Sequence, residues 1–337
     1  MNYELFKPCC IAVIFVTVFL HSGCRRDNTD YIKDEGIVWN TQYHIVYNSH
    51  EEFTDSFRVI FDRLDASVSP FNPNSLISKI NDNTTQAADE YLQRLYTESR
   101  KINMETNGAF DPTVSPLVNA WGFGYKSGVM PDSANIDSIL SFVGMNRTSL
   151  KDGCIVKEDA RMSFNFSAIA KGMACDEIAA FLKRNRVEDF MVEIGGEIAL
   201  NGENPHGDKW HISVDKPIEN SDSLVHSNTM VIKIGKGGIA TSGNYRNYKI
   251  IGGRKVVHII NPKTGYSEIT GLLSATVVAG SCMVADAYAT ACMVMGEKKC
   301  IEMFSNNKDI GVMLISSDRE GKLSVWENAK FRTLAIH

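Results

Sequence analysis

Long runs of basic residues are missing from this sequence, which has 35 Lys and Arg against 40 Asp and Glu and a formal net charge of −5. Nucleic-acid binding depends on clustered cations that neutralise phosphates, so this charge pattern argues against a nucleic-acid partner. A Walker loop is also missing, because the spacing G-x-x-x-x-G-K-S/T does not occur in the chain. The chain shows no internal repeat and no long low-complexity segment.

Cysteine is too sparse and too irregularly spaced for a disulfide framework. The chain has 8 cysteines among 337 residues and no Cys-x-x-Cys pair. An odd number of them follows Cys24, mostly in apolar stretches: Cys154, Cys175, Cys282, Cys292 and Cys300. We therefore expect small core residues rather than a disulfide frame or a thiolate metal site.

The N-terminus lacks an apolar run long enough to span a membrane, which requires about 20 residues. Lys7 precedes a shorter apolar run, Cys9 to Leu20, which ends in His-Ser-Gly-Cys at residues 21–24. This pattern predicts a secretory signal. It resembles a bacterial lipoprotein signal, in which residues 1–23 are removed and Cys24 carries the lipid. His21 stands where Leu is usual, and an ordinary cleaved signal is the alternative.

On this interpretation residues 24–36 form a polar tether and residues 37–335 form the folded domain. The domain is expected on the periplasmic side of a bacterial membrane, held there by the lipid on Cys24, with the inner membrane as the first expectation.

The rest of the chain has an ordinary globular composition, with 44% hydrophobic and 22% charged residues. Its length suits one large domain or two intertwined subdomains. Apolar periodicity predicts helices over residues 51–68, 90–105, 168–184 and 283–295, with a short helix through Ile77 and Ile80. Predicted strands cover residues 38–47, 190–194, 210–214, 231–234, 256–260 and 273–278. Because helices and strands come in blocks, the fold class is α+β.

Two glycine-rich segments stand out near the end of the strand-rich region. They read GGIATSGNY at residues 237–245 and HIINPKTG at residues 258–265. Such turns allow positive φ and leave the backbone open to a ligand, so Ser242 to Asn244 and His258 could form the polar rim of a cleft. Simple hairpins are the commoner explanation.

The predicted helix 283–295 contains the best chemical clue. Asp286 and Thr290 are four residues apart, so they lie one turn apart on one helix face. A carboxylate and a hydroxyl are hard oxygen ligands suited to Mg²⁺, which completes its shell with water, carbonyls and phosphate. A favourable interaction of Asp286 with the helix dipole is the alternative.

Two further segments have the character of ligand sites. NFSAIAKG at residues 165–172 opens a helix, where free N–H groups attract anions, and Lys171 in its first turn suits a nearby phosphate. A surface lysine is the alternative. Gly195 and Gly196 interrupt a strand, which indicates either a bulge or the close approach of a ligand to the backbone.

Taken together, these segments resemble the ApbE family of FAD:protein FMN transferases, collinearly over nearly the whole mature chain. The matching segments are SPFNPNSLISKIN (69–81), GAFDPTV (108–114), AIAKGMACD (168–176), IGGEI (194–198), ATSGNY (240–245), HIINPKTG (258–265) and ADAYATA (285–291). The resemblance implies mixed, largely antiparallel sheets with packed helices, and a cofactor cleft between two intertwined subdomains.

The resemblance also implies an activity and its site. Such enzymes take FAD and Mg²⁺ and move FMN onto a Thr or Ser hydroxyl of an acceptor protein, typically a subunit of a membrane redox complex, releasing AMP. The implied Mg²⁺ ligands are the main-chain carbonyl of Ala168 and the side chains of Asp286 and Thr290. The implied FAD contacts are Thr41, Phe71, Ala109, Phe110, Asp111, Asn165, Lys171, His258 and Ile259.

Lys171 and His258 are the catalytic candidates. Phosphoryl-type transfer needs neutralisation of the pyrophosphate charge, which Lys171 could assist. His258 is either a base for the acceptor hydroxyl or a residue that only hydrogen-bonds FAD.

Asn165 and Asn261 depart from the family pattern, which usually has Asp at both positions. Asn keeps hydrogen bonding but loses the negative charge, so weaker FAD binding is an expectation while activity survives. An FAD pyrophosphatase of the same fold and a non-catalytic FAD-binding lipoprotein are the alternative functions.

Overall fold

The computed structural model describes residues 31–125, 131–214, 230–244, 248–251, 254–267, 270–318 and 320–336. The strands in these ranges are β1 Tyr31–Val38, β2 Thr41–Asn48, β3 Thr148–Lys151, β4 Cys154–Lys157, β5 Phe190–Ile194, β6 Glu197–Asn201, β7 Trp210–Val214, β8 Met230–Ile234, β9 Lys236–Gly243, β10 Tyr248–Ile251, β11 Arg254–Val257, β12 Leu272–Ala279, β13 Gly311–Ser317, β14 Leu323–Glu327 and β15 Ala335–Ile336. The helices are α1 Thr54–Val68, α2 Leu76–Asn81, α3 Glu90–Glu105, α4 Ser115–Ala120, α5 Ser133–Leu140, α6 Ser167–Arg184, α7 Cys282–Phe304 and α8 Ala329–Arg332.

One large sheet organises these elements. Its eight strands lie in the order β1-β2-β5-β6-β9-β12-β13-β14, and every neighbouring pair is antiparallel. A three-stranded sheet, β15-β8-β7, and the hairpins β3–β4 and β10–β11 complete the described strands. The α+β prediction, with largely antiparallel sheets and packed helices, is confirmed.

The large sheet is buried on both faces, and each face has its own core. One core joins sheet residues such as Val277 to residues of the helices, including Ile178 and Ala287. The other core joins sheet residues such as Val278 to the three-stranded sheet. Adjacent residues of β12 thus serve opposite cores, and all eight residues of this strand are buried, which explains why six of the eight are apolar.

Most predicted elements form where the apolar pattern places them. In α1 the buried positions include Phe57, Ile60, Phe61 and Leu64, the stripe that predicted this helix. Helix α3 has the predicted bounds because local signals define both ends. The Asp89 side chain accepts a hydrogen bond from the Leu92 N–H at 3.0 Å, a standard N-terminal cap.

Several boundaries differ from the predictions; the strand predicted over residues 38–47, for example, is the last residue of β1, a turn and β2. Strand β11 ends at Val257, and Ile260 forms only an isolated bridge to Ser267. Helix α7 continues beyond the predicted end at residue 295, across a kink at Gly296, where φ is 74°. The predicted tether is too long, because residues 31–36 belong to β1, which pairs with β2 along its whole length. As an edge strand, β1 has mostly exposed or half-buried side chains, which explains its polar sequence.

The predicted signal peptide and Cys24 lie outside the described residues. Within the described ranges, none of the helices has the length and apolarity needed to cross a membrane. The five described cysteines are free thiols, and four of them are buried, as the prediction of core residues requires.

Helices α6 and α7 approach each other unusually closely. A Cβ added at Gly172 of α6 would lie 2.5 Å from the carbonyl oxygen of Cys282 at the start of α7. On the other side of α7, a Cβ at Gly238 of β9 would lie 2.1 Å from the Cys282 nitrogen. Only glycine fits at these two positions, and both hold the N-terminus of α7 against its neighbours.

We expect Gly172→Ala to lower the free energy of unfolding by about 1–3 kcal/mol, because the new methyl group clashes with rigid backbone. This clash outweighs the gain of about 1 kcal/mol in helix propensity when Ala replaces Gly. Urea unfolding of the full-length chain measures the change. Gly280→Ala is the control, since a Cβ there meets nothing within 4 Å. Equal stability of the two variants would contradict the packing argument.

Candidate functional site

A cleft of about 540 Å³ collects nearly all of the predicted site residues. Its walls include Phe71, Ala109, Phe110, Asp111, Asn165, Ala168, Lys171, His258, Ile259, Asp286 and Thr290. Thr41 does not line the cleft but supports one of its walls, because a Cβ at Gly195 would lie 2.7 Å from the Thr41 hydroxyl oxygen. Residues distant in sequence thus converge in one space.

Asp286 lies at the contact between α6 and α7. Its side chain is 3% exposed, and its Oδ2 accepts a hydrogen bond from the Gly172 N–H at 3.1 Å. In a regular helix this N–H serves the carbonyl of the residue four positions earlier, which is Ala168. By this rule the Ala168 carbonyl oxygen is expected close to the Asp286 carboxylate, and both residues line the cleft.

Thr290 adds a hydroxyl one turn further along α7, and its Oγ1 is 3.2 Å from the Ser242 hydroxyl of β9. The described residues contain no group of three or more His, Cys, Asp or Glu that could hold a metal ion. The donor set is thus one carboxylate, one carbonyl and one hydroxyl. Such a set fits Mg²⁺, which keeps several waters or substrate phosphates in its shell, better than a metal that needs a complete protein cage.

Asp176 positions α7 and was given no role in the sequence prediction. Its carboxylate accepts hydrogen bonds from the Ser281 hydroxyl at 2.7 Å, the Cys282 N–H at 3.0 Å and the Met283 N–H at 2.9 Å. The two N–H groups are free donors at the N-terminus of α7, where a negative charge is also favoured by the helix dipole. Asp176 therefore fixes the position of the helix that carries Asp286 and Thr290.

Lys171 pairs with Glu197, a residue that sequence reasoning did not single out. The ammonium forms an ion pair with Glu197 Oε2; the side chains are 35% and 5% exposed. Glu197 belongs to the IGGEI segment, but only its spatial proximity to Lys171 and Asp286 gives it a role.

Two carboxylates therefore share one ammonium in this part of the cleft. Burial raises the pKa of Glu197 to about 8, the Asp286 charge adds to this rise, and Lys171 opposes it. Burial also raises the pKa of Asp286, against the opposing effects of Lys171 and the Gly172 N–H. Burial lowers the pKa of Lys171, but Asp286 and Glu197 outweigh burial and hold it above its ordinary value. The cluster has one negative charge in excess when both acids are ionised.

The Gly195–Gly196 turn forms the next part of the wall, with φ of 61° and 100°. Glu193 fixes this turn, because its Oε1 accepts a hydrogen bond from the Gly196 N–H at 2.6 Å. The other oxygen of Glu193 lies 2.5 Å from Nδ1 of His44. The glycines are therefore a tight turn that lines the cleft.

The opposite wall is aromatic and partly open. Phe71 is 64% exposed, and its ring meets that of Tyr125 edge to face at 6.4 Å between centroids. His258 similarly meets Phe123 at 6.5 Å. These rings offer apolar surface to a planar ligand. Whether His258 also acts as a base stays a prediction.

Asp111 and the two departing asparagines accept hydrogen bonds within their own turns, and Asp111 Oδ2 also accepts from the distant Met145 N–H at 3.0 Å. Asp111 Oδ1 accepts hydrogen bonds from the N–H and hydroxyl of Thr113 at 2.8 and 2.6 Å. Asn165 Oδ1 accepts from the Ser167 N–H at 2.9 Å, and Asn261 Oδ1 accepts from the Lys263 N–H at 2.8 Å. Asn therefore keeps the acceptor role of Asp in both turns without its charge.

Ser213 and Val214 also line the cleft, at the end of β7. The sequence offered no signal for this, because the segment has the alternating pattern of an ordinary strand. Only the packing of the three-stranded sheet beside the large sheet brings the end of β7 to the cleft.

Comparison with known proteins places the chain in a family. A model of the ApbE family matches residues 39–314. The chain is 32% identical over 317 residues to the FAD:protein FMN transferase of Vibrio cholerae, covering 91% of this chain and 93% of that protein. It is 31% identical over 334 residues to the enzyme of the same name from Haemophilus influenzae, covering 93% and 94%.

Solved structures support the same family assignment. The flavin transferase ApbE from Vibrio cholerae matches with a TM-score of 0.81 at 30% identity, over 90% of this chain and 99% of that one. The ApbE protein from Thermotoga maritima matches with a TM-score of 0.78 at 25% identity, over 91% and 100%. On the breadth of these matches in sequence and in structure, this chain belongs to the ApbE family.

Proposed function

We propose that this chain is an Mg²⁺-dependent FAD:protein FMN transferase that moves FMN from FAD to a Thr or Ser hydroxyl of an acceptor protein and releases AMP. The observation that carries the proposal is the convergence of the Ala168 carbonyl, Asp286 and Thr290 beside Lys171 in one cleft. The names of the relatives support the same transfer.

The residues of the cleft have separate roles in this reaction. Asp286, Thr290 and the Ala168 carbonyl would hold Mg²⁺, which when bound supplies positive charge to the pyrophosphate oxygens. Lys171 adds a cation at the same place and remains charged, since its pKa is held above the ordinary value by the two acids. The turn at Gly195 and Gly196 leaves the backbone bare, so that the substrate can lie against it.

In the transfer step the acceptor hydroxyl oxygen forms a bond to the phosphorus of the FMN half. The bond from that phosphorus to the bridging oxygen breaks, and AMP leaves with the electron pair. The hydroxyl proton passes to a base, for which His258 on the cleft wall is the candidate.

The proposal includes a cellular location. Cys24 carries a lipid, and the domain works on the periplasmic side of a bacterial membrane, which we propose to be the inner membrane. Its acceptors are subunits of membrane redox complexes. The N-terminal sequence supports this location, because a short apolar run is followed by Ser-Gly-Cys at residues 22–24.

The first test uses the full-length chain, FAD, Mg²⁺ and a domain of a redox-complex subunit that carries a Ser/Thr flavinylation motif. We expect a covalent FMN adduct by mass spectrometry, its loss with EDTA and its return with added Mg²⁺. Asp286→Ala should lower the transfer rate at least ~100-fold, as expected when charge stabilisation is removed from a transition state. Glu302→Ala, an exposed change on the same helix, should leave the rate unchanged.

Other outcomes would assign other functions. FMN and AMP released at the same rate without an acceptor would replace the transferase with an FAD pyrophosphatase. FAD bound but unchanged, with equal affinity in Asp286→Ala, would leave a binding protein.

The shared ammonium predicts unequal effects on stability. In the metal-free chain, Lys171→Met leaves Glu197 and Asp286 without their cation, whereas Glu197→Gln keeps the favourable charge interaction of Lys171 with Asp286. Because Lys171 is 35% exposed, water screens part of the effect. We therefore expect Lys171→Met to cost about 1–2 kcal/mol, less than a fully buried pair.

We expect Glu197→Gln to change stability by less than about 1 kcal/mol, because burial and the Asp286 charge raise the pKa of Glu197 to about 8, so that this carboxyl is mostly uncharged at neutral pH. Urea unfolding at neutral pH in EDTA compares the two variants. A larger loss in Glu197→Gln than in Lys171→Met would contradict the shared-cation arrangement.

A further inference from the structure

Strand β7 is the edge of the three-stranded sheet, and its end reaches the cleft. The order β15-β8-β7 leaves one side of β7 without a neighbouring strand among the described residues. Ser213 and Val214, at the C-terminal end of β7, line the same cleft as Asp286 and Thr290. The open edge is thus continuous with the reaction site.

The register of the sheet shows which backbone groups point to the open edge. The Lys233 N–H of β8 donates to the Leu334 carbonyl at 2.8 Å, so the backbone groups of Lys233 face β15. His211 is paired with Lys233 across β7 and β8. In an antiparallel pair of this kind both residues direct their N–H and C=O away from each other. The backbone groups of His211 therefore point outward, and so do those of Ser213, two residues on.

Nothing in the described ranges satisfies these outward groups. The backbone of His211 and Ser213 takes part in no hydrogen bond on that side within the part of the chain that the structure describes. Natural sheets commonly block an open edge with Lys, Pro or a bulge. Residues 210–214 contain neither Lys nor Pro, and their register with β8 runs without a bulge.

We propose that the outer edge of β7 binds the acceptor protein, by pairing with an extended segment that carries the hydroxyl to be modified. The proposal rests on the transferase function proposed above and names how its protein substrate is held. Pairing along His211 and Ser213 leads the added strand into the cleft at the end where Ser213 and Val214 form its wall.

The chemistry of the edge favours a polypeptide in extended form over other occupants. Two residues with outward N–H and C=O match the alternating groups of a strand, a recognition mode in which the main chain supplies much of the affinity. The side chains of His211 and Ser213 are exposed on the sheet face while Trp210, Ile212 and Val214 are buried. Recognition of this kind depends on backbone hydrogen bonds and therefore places few restrictions on the side chains of the acceptor.

The first test compares two substitutions at His211, which lies outside the lining of the cleft. His211→Pro removes the outward N–H and places the proline ring on the edge, where strands tolerate proline. His211→Ala keeps the N–H and removes the same side chain, including its contact with Asp208. With the full-length chain and the acceptor domain used above, we expect KM for the acceptor to rise roughly tenfold or more in His211→Pro alone. FAD affinity and the melting temperature should match between the two variants.

A second test does not depend on the folding of a variant. Peptides centred on the hydroxyl residue that receives FMN are methylated on one backbone nitrogen at a time. Pairing to an edge predicts an alternating pattern, in which every second methylation weakens flavinylation by roughly tenfold and the intervening ones do not. Docking through side chains predicts no alternation.

The outcomes separate this proposal from the transferase proposal. No adduct with the wild-type chain overturns both. Suppose that the wild-type chain forms the adduct but that the acceptor KM is equal in His211→Pro and His211→Ala, or that the methylation scan shows no alternation. Either result overturns the proposal that the β7 edge binds the acceptor and leaves the transferase proposal standing. If His211→Pro loses FAD affinity or unfolds, the methylation scan decides. A wild-type dimer that dissociates in His211→Pro assigns the edge to a second copy of the chain and overturns the proposal.

Discussion

The contact between the N-terminus of α7 and its neighbours controls the rest of the site. Gly172 and Gly238 allow this helix to approach α6 and β9 at distances that no other residue permits. Asp176 then holds the helix terminus through three hydrogen bonds. Because α6 carries Ala168 and Lys171 while α7 carries Asp286 and Thr290, the separation of the two helices sets the separation of the proposed metal ligands.

The same contact explains the electrostatics of the cleft. Close packing excludes water from Asp286 and Glu197, and burial raises the pKa of both carboxyl groups. A single ammonium, that of Lys171, serves the two acids. When both acids are ionised, the site has one negative charge in excess beside oxygen donors, and a cation bound there would in turn favour their ionisation. Packing and charge thus favour the same ligand.

Sequence reasoning worked where the signals are local. Helix α3 is bounded by its own capping residues, and the spacing of Asp286 and Thr290 places them on one helix face whatever the tertiary structure.

Sequence reasoning does not find Glu197 or Asp176 as functional residues, because their roles depend on which helix packs beside them. The sequence assigns residues 31–36 of β1 to a tether, because these polar residues show no strand pattern and only their pairing with β2 makes them a strand. The place of Ser213 at the cleft depends on how two sheets pack and has no local signal.

The walls of the cleft come from segments that run from Phe71 to Val294, nearly the length of the folded domain. A chain still in synthesis therefore has only part of the cleft, and it lacks two of the three proposed metal donors until α7 is present. No fragment that ends before α7 contains the complete candidate site. Limited truncation from the C-terminal side into α7 would therefore remove these two donors while leaving most of the cleft lining in the chain.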